Sequence, residues 1–87
     1  MVKLYVRHTV ADFAKWKPVY DGHEATRKKF GEKKADVFRS ISNPNDVLLV
    51  FEWESRGQAQ DFLEKSDLKE VMETAGVTSQ PEVKFVD

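Results

Sequence analysis

Cysteine is absent from the chain. Disulfides, thiolate zinc sites and cysteine nucleophiles are thereby excluded. A surplus of one charge is missing as well. Fourteen Lys+Arg stand against fifteen Asp+Glu, for a net charge of −1, whereas a general nucleic-acid binder carries a basic excess or stripe. The longest apolar run, Val47 to Phe51, is too short to cross a membrane. The opening stretch, Met1 to His8, lacks the apolar segment of a signal peptide. The expectation is a cytoplasmic protein with neither nucleic acid nor membrane as a partner. The four glycines are scattered, so no phosphate-cradling glycine loop forms, and no nucleophile elbow or pair of catalytic carboxylates is found.

What the chain does have is aromatic residues: six Phe, two Trp and two Tyr among 87. Its length predicts one domain over 1–87, with roughly 5,200 Å² of folded surface against about 14,500 Å² extended. A core of two thin layers is what that allows. A hydrophobic fraction of 40% favours a folded domain over disorder.

Alternation predicts a strand over 2–9, with Val2, Leu4, Val6 and His8 on one face. Phe13, Trp16, Tyr20, His23, Arg27 and Phe30 step by three and four, which predicts a helical stripe over 11–30. Pro18 interrupts it, so a short turn at 11–16 and a main helix from Pro18 are expected, ending at Gly31. Strands are predicted over 34–42 and 46–54, joined at Asn43-Pro44-Asn45 as a hairpin. With a loop over 43–46, Ser42 faces Val47 and Phe38 faces Phe51, with Trp53 on the same face. Ser55 and Gln58 resemble a capping box opening a helix over 56–65. Leu68, Val71, Met72 and Ala75 form a further stripe ended by Gly76, and 82–86 a last strand.

The order β-α-β-β-α-β predicts a ferredoxin-like α+β fold: a four-stranded antiparallel sheet with helices on one face. The uncovered face should then be polar, yet both faces of the predicted hairpin carry large apolar side chains. A homodimer pairing through its sheet faces removes the discrepancy. Ligand binding by Phe38, Phe51 and Trp53, or tolerated exposure, is the alternative. For Trp53 the interface is favoured over a pocket mouth.

Several segments carry a resemblance: the strand ending in His8, Asp12-Phe13 with Trp16-Lys17 and Tyr20-Asp21, Asn43 to Val47, Phe51-Glu52-Trp53, Ala59 with Phe62, and Leu68 to Val77. Over nearly its whole length the chain resembles the small dimeric α/β-barrel proteins of the superfamily that includes the antibiotic-biosynthesis monooxygenases. It is most similar to small prokaryotic members labelled cyclase-like or of unknown function. The resemblance implies a dimer whose two sheets close into a barrel, and a small, often aromatic ligand held between sheet and helices. Activities in that superfamily include cofactor-less oxidation of polyphenolic substrates, lactone isomerisation, haem breakdown and haem-dependent chemistry. Haem breakdown uses a ligating His on the second helical region, and residues 56–75 contain none. No cofactor and no metal are expected.

Candidate chemistry centres on the two histidines. If the inner face of the first strand lies under the first helix, His8 and His23 line one cleft with Trp16 and Tyr20. A neutral histidine is a suitable general base for a phenolic or α-keto proton. His8, His23 and Tyr20 are the catalytic candidates; core-edge or solvated histidines are the alternative. Two histidines, even with Asp12 as a third ligand, make a weak metal site. Trp16 and Phe13 are candidates for a substrate-binding aromatic wall, or for plain core packing. Arg39, mid-strand among apolar neighbours, needs a partner; it is either paired with Glu52 or an anchor for a carboxylate or phenolate. Arg27-Lys28-Lys29 with Lys33-Lys34 is expected to be a solvated basic helix end. The expected function is a cofactor-independent oxygenase, isomerase or cyclase acting on a hydrophobic aromatic or keto substrate. The alternatives are a non-catalytic ligand-binding dimer and a purely structural one.

Overall fold

The computed structural model describes residues 1–86; Asp87, the end of the expected 1–87 domain, lies outside them. The elements are β1 (Val2–Thr9), α1 (Phe13–Gly22), α2 (Glu24–Lys29), β2 (Glu32–Arg39), β3 (Asp46–Trp53), α3 (Arg56–Lys65), α4 (Leu68–Ala75) and β4 (Glu82–Val86). The four strands form one antiparallel sheet in the order β2-β3-β1-β4. The helices pack on one face, giving the ferredoxin-like α+β fold expected from the element order.

Local chemistry accounts for the helix ends. Asp12 caps α1, its Oδ1 accepting from the Ala14 N–H at 2.9 Å. The Ser55 Oγ accepts from the Gln58 N–H at 3.3 Å and opens α3. Gly31 (φ 109°) and Gly76 (φ 83°) follow α2 and α4 in conformations that side chains disfavour.

The break in the first helical region falls at His23, not at Pro18. Helix α1 runs through Pro18 and ends at Gly22; His23, with φ −88° and ψ −1°, turns the chain into α2. Pro18 is exposed, so its ring projects to solvent and the backbone loses only one donor. Gly22, the weakest helix former apart from proline, stands where the turn occurs.

The hairpin register also differs from expectation. Arg39 faces Val47, Phe38 faces Leu48 and Val37 faces Leu49. The loop spans 40–45, closed by the Ser40 N–H donating to the Asp46 carbonyl at 3.0 Å. A bulge lies between Glu32 and Lys34. An offset of three residues is odd, so it exchanges the faces of β2. Phe51 and Trp53 point at the helices, at 3% and 0% exposure. Phe38 alone of the three aromatics lies on the open face, 51% exposed, in the rows of Leu48 and Arg7, beside Tyr5 and Val50. Trp53 is therefore core, not interface. Glu52 lies on the open face, 3.9 Å from Lys3, so the expected Arg39–Glu52 pair does not form.

The core is an aromatic cluster on the inner face. The Phe62 ring of α3 sits 5.3 Å from Trp53 and 6.3 Å from Phe51. Leu4, Val47, Trp53 and Phe62 are its largest fully buried side chains.

Candidate functional site

Between the inner sheet face and the helices lies a cavity of about 250 Å³. An engineered cavity of about 150 Å³ lined by apolar side chains holds a benzene molecule, so this one has room for a ligand of one or two fused rings. Its walls are mostly apolar. Val6 and His8 come from β1, Trp16 and Tyr20 from α1, and Met72 from α4. The segment after α4 closes one end with Gln80 and Pro81. That segment is tied back to β1 by the Thr9 N–H donating to Ser79 Oγ and by a Thr9–Thr78 hydroxyl contact, both at 2.9 Å.

The strand alternation that puts Leu4 and Val6 in the core also turns His8 inward. His8 is 4% exposed, and its Nδ1 has no hydrogen-bond partner. Its ring meets the Trp16 ring edge-on at 5.9 Å. Burial pulls the imidazole pKa below its ordinary value, with the Asp46 carboxylate opposing weakly. A histidine so placed is neutral near pH 7 and holds a free lone pair or N–H.

Trp16 and Tyr20 follow at one-turn spacing and stack at 4.9 Å with a 20° interplanar angle. Burial pushes the Tyr20 phenol up to about 12, the Arg27 cation partly offsetting it. Tyr20 thus stays protonated and is a hydrogen-bond donor, not a base. His23 reaches the cavity from the α1–α2 turn, and its Nε2 lies 2.9 Å from Asp67 Oδ1 at the α3–α4 turn. That contact joins the two helix pairs, and it holds the Asp67 carboxyl below the usual carboxylate range.

The structure brings His8, His23, Tyr20 and Trp16 to this one cavity and leaves Phe13 and Arg39 outside it. Phe13 packs against Trp16 at 5.5 Å from the far side. The Arg39 guanidinium lies 3.8 Å from the Phe13 ring centre, and its Nε donates to the Pro44 carbonyl at 3.0 Å. Arg39 is exposed and is not a ligand anchor of this cavity. Asp12 is engaged as the α1 cap. Among the described residues, no group of three or more His, Asp or Glu is placed to hold a metal ion.

Two site residues escaped the sequence reading. Arg27 is not part of a solvated basic end: it is 3% exposed and lines the cavity. Its Nε donates to Glu32 Oε2 at 2.6 Å, and its Nη1 to the Tyr20 carbonyl at 2.8 Å. The signal was its place on the Phe13-to-Phe30 stripe, overridden by the lysines beside it. Asp67 had no signal, because its partner lies 44 positions away.

A sheet of this order, roofed on one side by helices above a small aromatic cavity, defines a fold shared with the antibiotic-biosynthesis-monooxygenase-like ferredoxin-fold proteins. The sequence itself matches no family model and no curated protein. Among solved structures, the chain superposes on a Bordetella bronchiseptica protein described as an antibiotic biosynthesis monooxygenase. The TM-score is 0.85 at 17% identity, over 99% of this chain and 94% of the other. SnoaB of Streptomyces nogalater, a cofactor-independent oxygenase, superposes at TM-score 0.77 and 17% identity, over 95% and 89%. A Deinococcus radiodurans protein with the same monooxygenase description gives 0.73 and 16%, over 100% and 91%. At such identities the likeness is one of fold.

Proposed function

We propose that the cavity binds a small aromatic or enolisable keto compound and that His8 removes a proton from it, as in a cofactor-independent oxygenase or isomerase. The observation that carries this reading is His8 itself: a buried histidine with an unpartnered Nδ1 in the wall of an apolar cavity. An unpartnered buried polar atom costs free energy, and a ligand hydroxyl would supply the missing partner. Loss of the proton to His8 leaves the electron pair on the ligand as phenolate or enolate. The donor Tyr20 stands on the same cavity to hydrogen-bond that oxygen. Returned to a different carbon, the proton completes an isomerisation. With dioxygen as co-substrate, a ring-flanked CH2 and O2 become C=O and H2O. The oxygenase likeness of SnoaB supports the second outcome.

The test is a titration with one- and two-ring phenols and ketones, followed by thermal shift and by mass spectrometry for turnover. Wild type should be stabilised and should convert at least one compound. His8→Ala should still bind but lose about 10²-fold or more in rate, the ordinary worth of a general base. Binding with no conversion by either protein would overturn the catalytic part and leave a ligand carrier.

The same reading includes a second copy of the chain. The open sheet face carries Tyr5, Phe38, Leu48 and Val50, interleaved with Arg7 and Glu52. Phe38 is exposed and the other three are half-buried, and an apolar cluster of this kind on the open face of a small domain is the mark of an interaction surface. We assign it to an isologous dimer, as the resemblance implies.

A further inference from the structure

Resting on the cavity reading above, we propose that Arg27 is the specificity-determining residue of the site and selects ligands whose ring bears an acidic oxygen, a carboxylate or a phenolate. Three observations meet at this side chain. First, a guanidinium 3% exposed forms part of the wall of a mostly apolar cavity. Its central carbon lies 4.1 Å from the Tyr20 ring centre and 5.7 Å from that of Phe51, both cavity walls. Second, its donors are incompletely used. Nε serves Glu32 and Nη1 serves the Tyr20 carbonyl; among the described residues nothing accepts from Nη2. Third, Tyr20 and Arg27 also border a second, charged hollow lined by Lys17, Asp21, Glu24 and Lys28. They form the partition between an apolar space and a polar one.

Core packing alone does not explain a cation here. An apolar side chain of similar volume would fill the wall at no desolvation cost, and a buried ion pair rarely adds stability over such a replacement. A guanidinium held over the Tyr20 ring and anchored through Nε and Nη1 keeps its remaining donors suited to a carboxylate or phenolate. Glu32 sets the strength of this selection. Paired, it cancels the charge of Arg27, so the site attracts an anion by directed donors and not by net charge. The role that the sequence suggested for Arg39 thus belongs to a residue of α2.

The experiment compares two probes of one shape, 1-naphthoate and 1-methylnaphthalene, binding to wild type, Arg27→Met and Glu32→Gln at pH 7.5. Wild type should prefer the carboxylate. Arg27→Met should weaken naphthoate by about tenfold or more, the worth of a hydrogen bond to a charged group, while methylnaphthalene stays within about twofold. Glu32→Gln frees the cation and should tighten naphthoate several-fold; a purely structural pair would give no such gain, and this variant keeps the test decisive if Arg27→Met fails to fold. Equal affinity of wild type for both probes, or a Glu32→Gln variant with unchanged naphthoate binding, would overturn the assignment and leave the cavity reading standing. Failure of both probes to bind wild type would overturn the two together.

Discussion

At the scale of single residues, the site is a set of polar atoms in unfavourable surroundings. His8 has the clearest consequence. Its pKa is lowered in the folded chain by burial, whereas in the unfolded chain it titrates near 6.5. As pH falls through about 6.5 the unfolded state takes up the proton first, so His8 costs stability on the acid side and nothing above it. The stabilities of wild type and His8→Gln in denaturant should differ by a constant amount above pH 7. Below about 6.5 the wild type should lose up to ~1.4 kcal/mol per pH unit more, levelling off below the folded pKa. Parallel curves would mean that His8 is solvated. The inward face of His8 was legible in the alternation of β1, as were the stripe positions of Trp16, Tyr20 and His23. The contact of Arg39 with Phe13 was not, because it depends on the hairpin loop. Nor was the burial of Arg27, because a charge among lysines reads as surface when its partner Glu32 lies across a turn.

At the scale of elements, what was legible was what local chemistry decides. Ser55, Gly31 and Gly76 mark helix ends through hydrogen bonds and backbone angles within a few residues. The two glycines should nevertheless differ in tolerance. At Gly76 an added Cβ meets only Ala11 Cβ, at 3.8 Å, so the cost is that of the positive φ. At Gly31 it would lie 2.6–2.8 Å from the Gln58 amide, the end of a flexible side chain that can move aside, but φ is 109° there, further from the left-handed region that a side chain can enter. Gly76→Ala should cost about 1–2 kcal/mol, and Gly31→Ala measurably more, in chemical denaturation; the reverse order would contradict the larger positive φ at Gly31. The hairpin register was not legible. Asn43-Pro44-Asn45 announces a turn but not how many residues flank it, and neither the six-residue loop nor the bulge at β2 leaves a local mark. A slip by an odd number changes every side chain's face, which is how Phe38 and Trp53 came to be grouped together.

At the scale of the whole molecule, the aromatic residues divide by sheet face. Inside, Phe51, Trp53 and Phe62 build the core while Trp16 and Tyr20 wall the cavity. Outside, Phe38 stands with Tyr5, Leu48 and Val50 on a face that no helix covers. Sedimentation should show a species of twice the 10.0 kDa chain mass, and Phe38→Asp should shift it to monomer without lowering helix content. A wild-type monomer at micromolar concentration would remove the dimer. The fold follows from element order, but the proposed function rests on the cavity and the unpartnered His8. The most direct measurement is a ¹H–¹⁵N spectrum of the imidazole and indole nitrogens during titration with 1-naphthol. The His8 ring and the Trp16 indole should move together and saturate at one ligand per chain, while the buried Trp53 indole stays in place. A bound ligand that leaves the His8 signals unmoved would contradict the proposed function.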